Sequence, residues 1–114
     1  MKGSFPEKVQ AVSDWNFRDE VIEFPGPVVT EFFSPGCGYS RQLAPVLEEL
    51  AWSYTGRIKF VRIDITTNRV VPSQYEITGT PTIIFFKQGR IVNRVTGLLP
   101  KAEIERYLDY LLST

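Results

Sequence analysis

The sequence contains no histidine and only one cysteine and one methionine among its 114 residues. Without histidine, a Ser-His-Asp triad, a Cys-His pair and an imidazole-ligated metal site are all excluded. Because Cys37 stands alone, an intramolecular disulfide and a cysteine-based zinc site are excluded as well. Any chemistry at sulfur must use this one thiol, and we expect neither a metal nor a cofactor.

An excess of charge of one sign and long apolar runs are also lacking. Thirteen Lys and Arg residues balance thirteen Asp and Glu residues, without local basic clusters, so nucleic acid is not an expected partner. The first residues lack the apolar core of a secretory signal, and runs such as 83–86 are far too short to span a membrane. We expect a soluble, cytoplasmic protein that is a monomer.

The sequence does contain enough apolar material, 43% of its residues, for one α/β domain over residues 1–114. Apolar periodicity predicts the order βαβαβα, then ββα, which gives a mixed central sheet with helices on both faces. Strands are predicted at 9–12, 28–33, 58–64, 82–86 and 91–96, and helices at 13–22, 40–54, 70–75 and 100–111.

The sequence predicts two local features of the helices, an N-cap and a kink. Ser13 and Asp14 are candidates for the N-cap of the first helix, and Trp15 and Phe17 would lie on its apolar face. Pro45 lies inside the second helix, where it removes a backbone donor and predicts a kink.

The strongest chemical signal is Cys37, which lies between glycines in a loop that joins a predicted strand to a predicted helix. Free backbone N–H groups and the helix dipole at such a position stabilise a thiolate and lower a cysteine pKa into the range ~3.5–7.5. The alternative is a buried cysteine that acts as a small apolar residue. The sequence Gly36-Cys37-Gly38 at a helix start favours the reactive thiol.

Six segments, taken in order, carry a resemblance to a known family. They are residues 29–40, 43–51, 61–64, 75–82, 85–89 and 95–97. Together they resemble the thioredoxin family over nearly the whole chain. The resemblance implies the thioredoxin fold, thiol–disulfide exchange on protein disulfide substrates, and a thioredoxin reductase as electron donor.

The resemblance also implies roles for individual residues. Cys37 would be the attacking thiol, and Pro81 a cis-proline beside it, although the residues alone predict an ordinary loop proline. Thr80 would offer its backbone to an extended substrate, while Gly97 could equally be a turn that ends a strand. The substrate groove implied by the family consists of Gly38, Tyr39, Thr80, Pro81, Thr96, Gly97 and Leu98.

Glu31 matches the position of the family's buried acid, which is an aspartate there. In the family this carboxyl is thought to exchange protons with the second cysteine, and a buried carboxyl has a raised pKa that suits proton transfer. The residue pattern alone favours an exposed acid on a strand edge.

The active loop departs from the family pattern at three positions. Gly36 replaces the usual tryptophan and Tyr39 the usual proline, changes that can tune the redox potential. Ser40 replaces the second cysteine, and a hydroxyl cannot resolve a mixed disulfide. Its hydroxyl can hydrogen-bond the Cys37 thiolate or cap the helix. Cys37 should therefore capture a substrate and wait for an external thiol.

Three interpretations remain open at this point. The first is a thioredoxin whose second cysteine has been replaced by serine, so that it traps mixed disulfides. The second is a natural monothiol protein that depends on glutathione or another external thiol. The third is a binding module with the same fold, for which an unshifted pKa and slow alkylation of Cys37 would be expected.

Overall fold

The computed structural model describes residues 7–114 and contains a five-stranded mixed sheet. The strands are β1 Gln10–Val12, β2 Pro27–Phe33, β3 Lys59–Asp64, β4 Thr82–Lys87 and β5 Arg90–Thr96. Their order in the sheet is β1-β3-β2-β4-β5. Strands β1 and β2 both pair in parallel with β3, whereas β4 runs antiparallel to β2 and to β5.

Helices cover both faces of this sheet, which confirms the predicted α/β architecture. The helices are α1 Gly38–Ser53, α2 Val70–Gln74 and α3 Lys101–Ser113, and a short π-helical turn spans Arg18–Ile22. Within residues 7–114, no helix combines the length and the apolar character needed to cross a bilayer.

The two faces of the sheet form two separate hydrophobic clusters. Strand residues alternate between the faces, so Val29 packs beneath α1 and α3, whereas Val28 packs beneath the π-helical turn and α2. Helix α1 buries Leu43, Leu47 and Leu50 completely, and each such side chain contributes about 1.5–3 kcal/mol. This anchoring fixes the start of α1 at the end of β2.

The prediction for the first helix is wrong in two respects, the length of the helix and the side chains that it buries. Trp15 is 96% exposed, whereas Phe17 is buried, and only the π-helical turn follows. The side chain of Asp14 does not cap this turn. Its carboxylate accepts hydrogen bonds from the backbone N–H groups at 69, 70 and 71, at 3.0, 3.1 and 2.8 Å, and so caps α2 instead.

Pro45 lies inside α1, as predicted, on the exposed side of the helix. Because proline has no N–H, the carbonyl of Arg41 cannot receive its usual hydrogen bond from the residue four positions later. The kink itself stays a prediction.

Candidate active site

Cys37 is the N-cap residue of α1 and lies where the chain turns from the sheet into the helix. Its backbone is extended, at φ −89° and ψ 123°, and its side chain is half-buried. The N–H of Cys37 donates to the carbonyl of Ser34 at 3.0 Å, and its own carbonyl accepts from the N–H of Arg41 at 3.1 Å. A tight turn and the first helical hydrogen bond thus hold the cysteine on both sides.

The pKa of the Cys37 thiol is lowered from 9.0 to about 7 by hydrogen bonds to the thiolate. The Thr80 hydroxyl contributes most, followed by the backbone N–H of Ser40, with smaller contributions from the Ser40 hydroxyl and the N–H of Tyr39. Desolvation opposes these contributions without cancelling them. A large share of Cys37 is therefore present as the nucleophilic thiolate near neutral pH.

Thr80 makes two contacts with Cys37 that favour opposite protonation states. The protonated thiol donates to the carbonyl oxygen of Thr80, with Sγ and O separated by 3.4 Å. The Thr80 hydroxyl instead donates to the thiolate and is the largest cause of the lowered pKa. A single residue can thus accept from the thiol and donate to the thiolate, and we infer that it keeps the sulfur in place in both states.

Ser40, at the position where the family resemblance implies the second cysteine, is almost completely buried, at 2% exposure. Its Oγ accepts a hydrogen bond from the N–H of Ser34 at 3.3 Å, so it stabilises the loop rather than capping α1. The same hydroxyl donates its proton toward the Cys37 sulfur. Because a hydroxyl has one donor and two acceptor positions, both contacts can form together.

The segment that faces Cys37 contains a cis peptide bond between Thr80 and Pro81, as the family resemblance implies. The carbonyl of Pro81 accepts the N–H of Gly97 at 2.7 Å. Gly97 has φ +103°, a conformation that favours glycine, and it follows the last residue of β5. Gly97 therefore ends β5, and its hydrogen bond to Pro81 holds the end of this strand beside the proline.

The structure brings most of the predicted groove residues to this one end of the molecule. Hydrogen bonds link Cys37 to Thr80, and Pro81 to Gly97, while the hydroxyl of Thr96 lies 3.2 Å from that of Thr82 in β4. Gly38 and Tyr39 form the first turn of α1, directly after Cys37. The large side chains of Tyr39 and Leu98 are 59% and 38% exposed.

Glu31 is buried in the central strand β2, so the alternative of an exposed edge residue is wrong. It is 1% exposed, and its strand neighbours in register are Arg62 on β3 and Ile83 on β4. Desolvation raises the pKa of this carboxyl to about 7, although the charge of Arg62 lowers it. A carboxyl with this pKa can give or take a proton near neutral pH.

The surroundings of Glu31 leave one of its oxygens free. Oε1 lies 3.9 Å from Nε of Arg62, and Oε2 has no hydrogen-bond partner among residues 7–114. Glu31 also lines a cavity of about 200 Å³, whose walls include the apolar Pro45 and the charged Glu48 and Arg62. The charged groups in these walls and this volume leave room for water that could accept or supply a proton.

Arg62 is a residue of the site that the sequence alone did not reveal. Its guanidinium carbon lies 3.7 Å from the centroid of the Phe33 ring, and Phe33 is the last residue of β2 before the active loop. The sequence shows only that an arginine lies in the middle of an apolar strand. The register between β2 and β3, which the sequence does not reveal, places this arginine opposite Glu31.

The arrangement suits exchange chemistry at sulfur. Within the described part of the chain, no three His, Cys, Asp or Glu side chains are grouped so that they could hold a metal ion. A cysteine with a lowered pKa at a helix start, opposite a cis-proline, is the kind of site that a thiol–disulfide oxidoreductase uses.

Comparisons with known proteins identify the family to which the chain belongs. The model of the Thioredoxin family matches residues 8–110. Thioredoxin 1 of Synechococcus elongatus is 40% identical over 99 residues, covering 87% of this chain and 92% of the relative. Thioredoxin of Pseudomonas aeruginosa is 33% identical over 103 residues, covering 90% and 95%. The chain belongs to the thioredoxin family, which supports thiol–disulfide oxidoreductase chemistry in general.

Proposed function

We propose that the protein exchanges thiols and disulfides with protein substrates through Cys37, and that each reaction stops at a mixed disulfide. The observation that carries this proposal is the pairing of an activated Cys37 with a buried Ser40 at the resolving position. The first can attack a disulfide, and the second cannot form one.

The chemistry needs two external thiols in addition to Cys37. The Cys37 thiolate attacks one sulfur of a substrate disulfide, forming a bond to it and releasing the other sulfur as a thiolate. A thiolate from an external low-molecular-weight thiol then attacks the mixed disulfide and displaces one of its two sulfurs. A second external thiol completes the reduction, so the substrate gains two electrons and the external thiols become a disulfide.

Glu31 is the group that we assign to proton exchange in this cycle. Its pKa of about 7 makes both protonation states available, its Oε2 has no hydrogen-bond partner among residues 7–114, and the residue lines the cavity beneath α1. In the protonated state it can supply a proton to a departing thiolate, and in the ionised state it can accept one from the incoming thiol.

Of the two origins for Ser40, we favour the replacement of a resolving cysteine in a dithiol parent. The Ser40 hydroxyl lies within hydrogen-bond reach of the Cys37 sulfur, so a cysteine at this buried position would be placed to attack it. The parent would be a protein-disulfide reductase. A natural monothiol protein that uses glutathione would show the same chemistry, whereas the lowered pKa of Cys37 argues against a pure binding module.

The proposed partners follow from this chemistry and from the family. They are protein disulfides and, for the dithiol parent, a thioredoxin reductase, with the protein itself acting as a monomer. A supply of free thiols is needed to release the mixed disulfide, so we place the protein in a reducing, cytoplasmic compartment.

Intact mass spectrometry tests this proposal. The reduced protein is mixed with a disulfide-bonded protein substrate, and the reaction is quenched with acid at intervals. We expect a covalent adduct of one chain with one substrate, which yields fully reduced substrate only after glutathione is added. Its decay rate should then rise in proportion to the glutathione concentration.

The matched control is the Cys37→Ser variant, which should form no adduct because it has no thiol. Absence of an adduct with the unmodified protein would contradict the proposal. Release of fully reduced substrate without added thiol would contradict it equally, since the freed substrate thiol can only re-form the original disulfide, and reduction would need a resolving thiol within the chain.

A further inference from the structure

A recess of about 400 Å³ lies between α1 and the loop that follows β5. Its walls are formed by Gln42 and Val46 of α1 and, across from them, by Leu98, Leu99 and Pro100. This volume lies near the lower end of the range of about 300–1,000 Å³ for ligand pockets. It suits a single large side chain better than a folded element.

A series of contacts connects this recess with the reactive sulfur. Sγ of Cys37 lies 3.4 Å from the carbonyl oxygen of Thr80, and the carbonyl of Pro81 accepts the N–H of Gly97 at 2.7 Å. Leu98 is the next residue and forms a wall of the recess. The opposite wall begins at Gln42, one helical turn after Gly38 and on the same helix face.

The chemistry of the walls selects an apolar occupant. Val46 and Leu99 pack against the hydrophobic cluster beneath α1 and α3, and this packing fixes the position of the two walls. Leu98 remains 38% exposed and offers apolar surface to the recess. Lys101, at the rim, is already paired with Glu49 at 3.0 Å, so its charge is partly neutralised.

We propose that this recess binds a large apolar side chain, such as Leu, Met or Phe, of the polypeptide substrate whose half-cystine is joined to Cys37. The inference rests on the proposed function and adds a substrate preference to it. An extended segment advances about 3.3 Å per residue and alternates its side chains. One position near the half-cystine, on one side of it, should therefore enter the recess.

Disulfide-linked peptide homodimers test this preference. Each peptide carries one cysteine in an Ala- and Ser-rich host, and Leu is placed at each of the three positions before and after the cysteine. Cys37 attacks either equivalent sulfur, forming one adduct and releasing one peptide thiol. We expect Leu to react about ten times faster than Ala at one position, an increment typical of one apolar pocket contact, and equally fast elsewhere.

Two variants locate the source of the preference, and one variant serves as the matched control. Leu98→Ser removes an apolar wall, and Gln42→Trp fills the recess from an exposed position of α1. Each should reduce the Leu-to-Ala rate ratio to about one. Ile91→Ser makes the same kind of change at an exposed residue near the start of β5 and should keep the ratio.

The outcomes separate this inference from the proposed function. Equal rates for every peptide with the unmodified protein would overturn the recess as a binding site, while the adducts would still support exchange at Cys37. A ratio that persists in both recess variants would overturn it as well. If no peptide forms an adduct, the proposed function fails first and this inference fails with it.

Discussion

At the scale of single residues, the site depends on hydrogen bonds to one sulfur atom. The contributions that lower the pKa of Cys37 come from Thr80, Ser40 and Tyr39, and none of them is a full charge. Polar groups in fixed positions therefore replace the cationic neighbour that activates many other cysteines.

Ser40→Ala removes one of these hydrogen bonds and leaves the N–H of Ser34 without its acceptor. We expect the pKa of Cys37 to rise only part of the way from about 7 toward 9.0, because Thr80 and two backbone N–H groups still stabilise the thiolate, and alkylation at pH 7 to be about twofold slower. The ultraviolet absorbance of the thiolate as a function of pH measures this directly. An unchanged titration would show that the Ser40 hydroxyl does not contact the sulfur.

Glu31 makes the stability of the protein depend on pH. Between pH 4.5 and about 7 the folded state binds more protons than the unfolded state, so the free energy of unfolding falls as pH rises through this window. A shift from 4.5 to about 7 corresponds to about 3 kcal/mol.

Glu31→Gln should remove this dependence, because the amide resembles the protonated acid and carries no charge. We expect the variant to be more stable than the unmodified protein by up to about 3 kcal/mol above pH 7, with almost no difference near pH 4. Urea unfolding across this range measures the effect, with the exposed Glu103→Gln as control. A variant that is less stable at high pH would mean that the Arg62 pair outweighs desolvation.

At the scale of secondary structure, the most informative error concerns Asp14. Its position before an apolar pattern predicts a local N-cap, but its carboxylate caps α2, whose first residue follows it by 56 positions. Desolvation raises the pKa of Asp14, yet the three backbone hydrogen bonds together lower it. No local sequence rule reports such a contact, since it depends on how β1 and β3 bring the two loops together.

Asp14→Ala should destabilise the protein by about 0.5–2 kcal/mol, the usual loss for an N-cap. Because the folded-state pKa is lowered, the contribution is present above the ordinary pKa of 3.8 and is lost as pH falls through the folded value. Urea unfolding at pH 7 and at acidic pH checks both statements. Asp19→Ala, which alters an exposed acid of the π-helical turn, should cost much less; equal losses would contradict the capping role.

At the scale of the whole molecule, the order of strands and helices could be predicted because apolar periodicity differs between the two kinds of element. The prediction failed where tertiary contacts override local pattern, as at Trp15, which the helical spacing places inside and the structure places in solvent. Cys37 and Ser40 were evident from the sequence, but Arg62 and the recess at Leu98 required the strand register and the packing of α1.

The central claim is that the chain has no resolving thiol. The number of substrate thiols released per chain tests this claim most directly. The reduced protein and its Ser40→Cys variant are each mixed with excess substrate disulfide, without any other thiol, and the released substrate thiols are counted per chain. We predict one thiol and a persistent adduct for the unmodified protein, against two thiols and no adduct for Ser40→Cys. Two thiols from the unmodified protein, or one from both, would contradict the account.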